Sequence, residues 1–314
     1  FHPMSILAVT YHYVRPDSPS APRLRYLHLD NFRMQLDWLC ENRRAISRDE
    51  FVSIAKGEIG VTDGFILTFD DGLLDHYKFV FPELVKRGLW GSFYIPVEPY
   101  ISHRPLDVHL VHGLLGVFGG EKVLQALEKI VQNSNPLIDG NRGSHRYTRA
   151  DDEAAVLEVK RQLNYGIAVE RRSEIIDGVC EELGYTMDPR DWYLSSLEMN
   201  EMASAGMIIG SHSMSHRPMS QLSDEIQDFE ISKSFEWIEM HLENHMDRSF
   251  CYPYGGFDTF TPATESILNK NGSLWAFNTE EREILQKDFV ERRQALPRID
   301  CCNLPFGKAH KYDS

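Results

Sequence analysis

The sequence predicts an α/β protein built on a mainly parallel sheet, because short apolar runs alternate with helix-like stretches along the chain. Each run is followed by polar or turn-forming residues, a pattern typical of buried strands. The runs are Ile6–Thr10, Phe65–Phe69, Ser92–Ile95, Met207–Gly210, Phe250–Tyr252 and Leu274–Phe277. A barrel and an open doubly wound sheet both fit this alternation, and both carry their chemistry at the carboxyl ends of the strands.

A helix start is predicted where Ser223 precedes Asp224 and Glu225. A hydroxyl cap and acidic residues in the first turn stabilise a helix N-terminus. We expect this helix to supply apolar contacts through Ile226, Phe229, Ile238 and Met240.

Residues 101–190 break the alternation of strands and helices. Helical patterns occur near Glu121–Val131, Asp151–Leu163 and Arg171–Leu183. We interpret the segment as a helical insertion that follows the third strand of a single domain covering residues 1–314. On that arrangement the insertion is expected to lie over the active site and to shape substrate access.

Composition and charge limit the classes of partner. The chain has 314 residues and a formal net charge of −14, which disfavours nucleic acid as a partner. No apolar run is long enough to span a membrane. The start at Phe1 carries no basic leader, which predicts a cytoplasmic protein. A leader removed before Phe1 is the alternative.

The cysteines are Cys40, Cys180, Cys251, Cys301 and Cys302. Their number is odd and none are spaced as CxxC, which argues against a disulfide framework and against a cysteine zinc site. We interpret the adjacent pair near the C-terminus as buried small residues and expect a reducing compartment.

The first chemical signal is Asp70-Asp71-Gly72, directly after an apolar run. Side chains alternate along a strand, but a turn at Gly72 lets both carboxylates face one cavity. Like charges so close raise each other's pKa unless a cation neutralises them. Taken alone, the motif is more often an acidic turn with a helix cap.

The second signal is a pair of histidines, His212 and His216, after another apolar run. Histidines four residues apart share one face if the segment makes a helical turn. Two surface histidines are the alternative. Together with one carboxylate, however, two imidazoles make a three-ligand catalytic zinc site with an open position. The remaining carboxylate is then available as a base, and metal-assisted hydrolysis of a carbonyl compound is predicted.

The third signal is the run Arg248 to Gly256, which contains Tyr252-Pro253-Tyr254-Gly255. Its composition predicts a strand that ends in a rigid turn. A backbone N–H there is a candidate oxyanion donor, and the aromatic rings are candidates for stacking on a sugar. Alone, such a turn is more often structural.

These motifs, in this order, resemble the polysaccharide deacetylase family, also called the NodB-homology or carbohydrate esterase 4 family. The TFDDG, HSxxH and YPYG elements match, and Tyr11-His12 is similar to the pair after the family's first strand. The match spans most of residues 5–100 and 192–300. The resemblance implies a distorted (β/α) barrel of this family's type.

The resemblance also implies the roles of several residues. Asp70 would be the general base, and Asp71, His212 and His216 would hold one divalent metal ion, zinc or alternatively cobalt or nickel. The main-chain N–H of Tyr254 would bind the oxyanion. The implied reaction removes an N-acetyl group from an amino sugar and releases acetate.

Two departures from the family pattern affect the site. Many members carry an arginine that pairs with the base in the third motif, where this chain has Cys251. Arg298, after a late strand, is the candidate replacement. The family's late Leu-x-His element, which supplies a general acid, has no match, and His310 in the polar tail is a poor candidate. At the end of the first strand, a structural role for His12 is favoured over proton donation.

The candidate substrate-binding residues are His12, Tyr252, Pro253 and Trp192, with core packing an equal alternative for Trp192. The expected partner is an N-acetylated saccharide, nucleotide-linked, lipid-linked or oligomeric, destined for surface polysaccharide such as O-antigen or capsule. A deformylase or an O-acetyl esterase with the same site is one alternative. A catalytically inactive carbohydrate-binding protein is the other.

Overall fold

The computed structural model describes residues 3–134, 153–244 and 247–308. The strands in these ranges are β1 (Ser5–Tyr11), β2 (Val14–Arg15), β3 (Leu27–His28), β4 (Gly64–Phe69), β5 (Ser92–Ile95), β6 (Ile208–Ser211), β7 (Ser249–Cys251), β8 (Trp275–Phe277), β9 (Ile284–Leu285) and β10 (Ile299–Asp300). Every predicted run falls on a strand, and each boundary agrees to within one residue.

The main sheet has the strand order β10-β1-β4-β5-β6-β7-β8, and neighbouring strands along this path are parallel. The segment that leads into β10 also pairs with the other end of the path, because Leu296 bridges to Phe277 on β8. The sheet therefore curls around on itself. The predicted distorted (β/α) barrel is confirmed, and the carboxyl ends of its strands share one edge.

The α-helices in the described ranges are α1 (Leu29–Asn42), α2 (Arg48–Ala55), α3 (Phe81–Lys86), α4 (Glu98–Ser102), α5 (Asp107–Phe118), α6 (Gly120–Ser134), α7 (Ala154–Arg161), α8 (Val169–Leu183), α9 (Ser196–Ser204), α10 (Asp224–His241), α11 (Pro262–Lys270) and α12 (Gln286–Glu291). The predicted start of α10 is confirmed: the Ser223 side chain accepts a hydrogen bond from the backbone N–H of Ile226.

Both faces of β1 are buried, which explains why its sequence is apolar without interruption. One face packs on α1, in a cluster that includes Leu7, Val9, Tyr11, Phe32 and Leu36. The opposite face packs with residues of α2 and β8, in a cluster that includes Ile6, Ala8, Phe51, Trp275 and Phe277.

The chain divides into two compact units. One consists of the described residues of Phe1–Pro16, Tyr26–Arg104 and Arg190–His310, and it contains the sheet. The other consists of Asp17–Arg25 and the described residues of Pro105–Pro189, with a core between α5, α6, α7 and α8. That the chain is one domain whose insertion lies over the active site stays a prediction. Among the described residues, no helix combines the length and apolar composition that crossing a bilayer requires.

The expected apolar face of α10 is wrong for three of its four residues. Ile226, Phe229 and Met240 are exposed, and only Ile238 is buried. The buried face also carries polar side chains, Gln227, Glu230 and Ser234, which bond to loops and strands beneath the helix. A pattern that counts only apolar residues therefore selects the wrong side of this helix.

Substitution of Gly64 tests how closely β4 packs against its neighbours. A Cβ there would lie 2.5 Å from the carbonyl oxygen of Arg44 and 2.6 Å from Cγ1 of Ile46. Gly64→Ala should lower the free energy of unfolding by about 1–3 kcal/mol through overpacking. Gly60→Ala is the control, since its Cβ would meet Gln286 Oε1 at an ordinary 3.4 Å. Equal denaturation midpoints for both variants would contradict the account.

Candidate active site

Asp70 and Asp71 follow β4 and are both buried, although they are adjacent and both acidic. The backbone N–H of Asp70 still donates to the carbonyl of Tyr11, which continues the pairing with β1 for one residue. Asp71 (φ 79°) and Gly72 (φ 60°) then adopt left-handed conformations. This turn separates the two carboxylates, so that each meets a different group of partners.

The partner of Asp70 is Arg298, whose side chain is 1% exposed. Its guanidinium donates to both carboxylate oxygens, with Nη1 at 2.8 Å from Oδ1 and Nη2 at 2.7 Å from Oδ2. Arg298 is held in turn by the Thr68 hydroxyl at 3.0 Å and the Asn278 carbonyl at 3.0 Å. Such a two-pronged bond between charged groups fixes orientation as well as charge.

Burial by itself raises the pKa of Asp70, but the charge and hydrogen bonds of Arg298 outweigh it and hold that pKa well below the usual range. Two further donors, the Cys251 thiol and the Thr10 hydroxyl, each lie 3.4 Å from Oδ2. Asp70 is therefore ionised at neutral pH and points in a fixed direction.

Cys251 occupies the space next to this pair. The Nη2 atom of Arg298 lies 3.0 Å from its sulfur. Arg298, the residue before β10, thus reaches the carboxylate beside the position where many family members have arginine. The role of Arg298 stays a prediction, but its side chain is placed as that prediction requires.

The partners of Asp71 are the two histidines that follow β6. Its Oδ1 lies 3.4 Å from Nε2 of His212 and 3.3 Å from Nε2 of His216. The helical turn that their spacing would require is not formed, because Ser213 (φ 66°) and His216 (φ 56°) are left-handed. The imidazoles still meet, with ring centroids 4.8 Å apart.

Glu230 of α10 holds the loop between the histidines. Its buried carboxylate accepts hydrogen bonds from the backbone N–H groups of Met214 and Ser215, at 3.1 and 2.9 Å. It also accepts from the Ser215 hydroxyl at 2.6 Å. Left-handed non-glycine residues are strained and persist where surrounding bonds fix them, and these three bonds supply such support.

The orientation of His212 is set from β7. Its Nδ1–H donates to the carbonyl of Cys251 at 2.7 Å, which directs Nε2 toward Asp71. Burial lowers the pKa of His212, but Cys251 and the hydrogen bond to Asp71 outweigh burial and raise it well above its usual value. Without a cation, the His212 imidazole is therefore doubly protonated and positively charged at neutral pH.

The Asp71, His212 and His216 side chains fit a divalent cation. Zinc ligands at ordinary bond lengths in a tetrahedral set lie about 3.3 Å apart, and the carboxylate-to-imidazole distances are 3.3 and 3.4 Å. The hydrogen bond from Nδ1 of His212 to a carbonyl is the usual support of a metal-binding imidazole.

A second donor set, Asp70, His212 and Cys251, also lies within one small volume. It suits a cation poorly, because the guanidinium of Arg298 already binds both oxygens of Asp70 and would repel a second positive charge. The Asp71 carboxylate lies against two imidazoles instead, and its set is the better candidate.

His12 is not the structural histidine that its position suggests. Its imidazole is 45% exposed, and Nε2 lies 3.9 Å from Oδ2 of Asp70. The structural role belongs to His76, whose Nε2 donates to the His12 carbonyl at 2.9 Å. Burial lowers the pKa of His76 to about 4, so that it is neutral. His12 is thereby held at the rim of the site with its ring free to meet solvent.

Tyr254 also lies at the site, since its ring centroid is 5.1 Å from that of His216. Its backbone is left-handed, with φ 63°. Trp192 is partly exposed, and its carbonyl accepts from Leu74 beside the turn that follows Asp71. The Arg15 guanidinium lies 5.3 Å from its ring. Both residues thus remain available for the roles predicted for them.

A direct contact between Tyr252 and substrate is contradicted by its burial. The ring is 1% exposed, its hydroxyl donates to the Gln294 carbonyl, and it stacks on Phe260 with centroids 3.9 Å apart. Pro253 is buried as well. Both residues shape the turn that carries Tyr254, and the alternation of side chains after β7 sends the ring of Tyr252 into the core.

Sequence reasoning missed two positioning residues. Thr10 is paired with Thr68 across β1 and β4, and its hydroxyl faces Asp70. Only its place just before Tyr11-His12 hints at this. Glu230 holds the histidine loop by accepting a hydrogen bond from the backbone N–H of Met214, sixteen residues earlier in the chain, which no local pattern reveals.

Removal of Arg298 should destabilise the protein by an amount that depends on pH. Arg298→Ala leaves a buried unpaired carboxylate, which lowers the free energy of unfolding by about 3–5 kcal/mol at neutral pH. Burial then raises the pKa of Asp70 above its unfolded value, so this loss is smaller near pH 4 and grows as pH rises. Urea unfolding at both pH values measures it.

Adding Asp70→Asn to Arg298→Ala removes the stranded charge and should restore part of the stability. If the double variant is as unstable as the sum of the single variants, the pair is not coupled and the account fails.

Arg298→Ala should also lower turnover far more than metal content, and near-normal turnover would reject a role for Arg298.

Metal affinity should fall as pH decreases, because a cation must displace the proton that His212 carries in the metal-free site. Since the pKa of His212 is raised, the dependence should extend above neutral pH. Competition with a chromophoric zinc chelator between about pH 6 and 9 measures it. A constant affinity over this range would contradict the assignment of His212 as a ligand.

Comparisons with known proteins agree with the site. The sequence model described as polysaccharide deacetylase matches residues 185–272, which include both histidines and Glu230. A comparison with curated protein sequences gives no significant match.

Several solved structures share the fold. The Streptococcus pyogenes deacetylase PplD, in complex with acetate, superposes with a TM-score of 0.57 at 17% identity, covering 95% of this chain and 92% of that chain. IcaB from Ammonifex degensii superposes with a TM-score of 0.56 at 18% sequence identity, covering 94% of this chain and 91% of that chain. A de-N-acetylase from Aggregatibacter actinomycetemcomitans superposes with a TM-score of 0.55 at 13% sequence identity, covering 94% of each chain. The chain is thus similar to the polysaccharide deacetylase family over residues 185–272, and it shares the fold of these solved structures.

Proposed function

We propose that the protein is a metal-dependent hydrolase that removes an N-acetyl group from an amino sugar. The observation that carries the proposal is the meeting of Asp71, His212 and His216, at 3.3 and 3.4 Å, beside the separate ionised carboxylate of Asp70. A pure binding protein has no evident need for three such donors with a buried base next to them. The match to the polysaccharide deacetylase sequence model and the deacetylases of the same fold support the assignment.

In this proposal Asp71, His212 and His216 hold one divalent cation, zinc or alternatively cobalt or nickel. When bound, such a cation supplies a water of lowered pKa, about 7, and polarises the acetyl carbonyl. Asp70 accepts the proton of the attacking water, and Arg298 keeps that carboxylate ionised and oriented. The backbone N–H of Tyr254 donates to the oxyanion that develops on the carbonyl oxygen.

His12 is the proton donor to the leaving amine in this scheme. The departing nitrogen needs a proton, and the donor must reach the substrate from solvent-accessible space. Its exposed imidazole, 3.9 Å from Asp70 Oδ2, meets both requirements. The hydrogen bond that His76 donates to the His12 carbonyl fixes the His12 backbone and leaves its imidazole ring unoccupied by this contact.

The substrate we propose is a saccharide with an N-acetylated amino sugar, either nucleotide-linked, lipid-linked or oligomeric, made for surface polysaccharide. The partly exposed ring of Trp192, beside the Asp71 turn, is the surface proposed to stack on the sugar, with Tyr13 and Arg15 packed against it.

Two substitutions separate metal binding from chemistry. Asp70→Asn should retain the metal and lose turnover by a factor of about 100 or more, since it removes the base but none of the ligands. His216→Ala should lose both. His241→Ala, at the exposed end of α10, is the control and should change neither. Metal analysis of the purified proteins, together with acetate release, measures the split. Full turnover by Asp70→Asn would remove this carboxylate from the mechanism.

A panel of one sugar carrying N-acetyl, N-formyl or O-acetyl groups tests the bond that is cleaved. Acetate from the N-acetyl sugar, in preference to the others, is expected. Preferred release of formate would indicate a deformylase, and preferred cleavage of the ester would indicate an esterase. Tight metal and sugar binding without any hydrolysis would indicate an inactive carbohydrate-binding protein.

A further inference from the structure

We propose that Asp300, Cys301 and Cys302 form a second cation site, which takes a soft, thiol-seeking metal ion. The three residues lie where β10 ends and a single helical turn, Cys301–Asn303, begins. The site shares no residue with Asp71, His212 and His216, so the proposal is independent of the function proposed above.

The donor atoms are already gathered. One carboxylate oxygen and the two sulfurs lie within 4.8 Å of one another. Neither cysteine is in a disulfide; Cys301 is buried and Cys302 is exposed. The exposed sulfur gives an ion access from solvent, and the buried one provides a protected ligand. Two thiolate ligands of a tetrahedral zinc ion lie about 3.8 Å apart, so only a small adjustment is needed.

The turn that carries the thiols is anchored from several directions. The buried amide of Gln35, on α1, donates to the carbonyls of Cys301 and Pro305 at 3.0 and 2.9 Å. Oδ1 of Asp300 accepts from the backbone N–H of Cys302 at 2.8 Å. Gly307 packs against Cys301 so closely that a Cβ there would overlap the Cys301 carbonyl. A fixed turn lowers the entropy lost when an ion orders its ligands.

The sequence argued against a cysteine zinc site because the number of cysteines is odd and none are spaced as CxxC. The strand ends at Asp300, however, and the helical turn that follows brings the two sulfurs to one side. The expectation that both cysteines are buried small residues is wrong for Cys302, which is exposed.

The chemistry of this donor set differs from that of the candidate active site. Thiolates favour soft ions such as Cd²⁺ or Cu⁺, and also Zn²⁺, whereas imidazole and carboxylate suit zinc, cobalt and nickel. Coordination replaces the proton of each thiol, so a divalent ion held by both sulfurs releases two protons to solvent. The two sites should therefore differ in metal preference.

Titration of the reduced full-length protein with Cd²⁺, followed by the near-ultraviolet absorption of cadmium–thiolate bonds, tests the proposal. The band should form in the wild type and in His216→Ala, which lacks a ligand of the other site. It should be lost in Cys302→Ser. The control is Cys40→Ser, which removes the other exposed cysteine and should leave the band unchanged.

Thermal unfolding of the metal-free variants confirms that Cys302→Ser is folded, as its exposure predicts. No band in the wild type, or an undiminished band in Cys302→Ser, would overturn the proposal. Loss of the band in His216→Ala, with retention in Cys302→Ser, would indicate that cadmium binds at the candidate active site instead. Failure of acetate release in the assays above leaves this outcome unaffected, so the two proposals fail separately.

Discussion

Two adjacent buried carboxylates require two separate positive partners, and this constraint organises the site. Asp70 and Asp71 follow the same strand, where their charges would otherwise raise each other's pKa. The left-handed turn at Asp71 and Gly72 directs one carboxylate to Arg298 and the other to two imidazoles. One acid is thus held ionised in a fixed orientation, and the other lies against the two histidines. Neither arrangement is available to a carboxylate pair in continuous strand.

The barrel supplies these partners from distant parts of the chain. β10 pairs with β1, which pairs with β4, so Arg298 reaches Asp70 although 228 residues separate them. The small thiol of Cys251 lies beside the guanidinium at 3.0 Å, while the carbonyl of the same residue orients His212. One residue of β7 therefore contacts both halves of the site. A larger side chain at this position would compete with Arg298 for the same space.

The sequence was informative where a strand is long and where chemistry is local. It predicted β1, β4 and β5 closely, together with the start of α10 and the residues now found around the two carboxylates. It missed the two-residue strands β2, β3, β9 and β10, which are too short to carry a periodic signal. Tyr252 was misplaced because composition alone cannot tell which side of a turn enters the core. The sequence brought the two histidines together only on the condition of a helical turn, whereas distant support from Glu230 permits a left-handed conformation that local propensity disfavours.

The account rests on one cation shared by an acid and two imidazoles, and anomalous scattering tests this most directly. Crystals grown with zinc should show, at the zinc absorption edge, a peak about 2.0–2.2 Å from Oδ1 of Asp71 and from Nε2 of both His212 and His216. Asp70 should remain on Arg298 and outside the first coordination sphere. A fully occupied peak elsewhere, with no density between Asp71 and the histidines, would contradict the account.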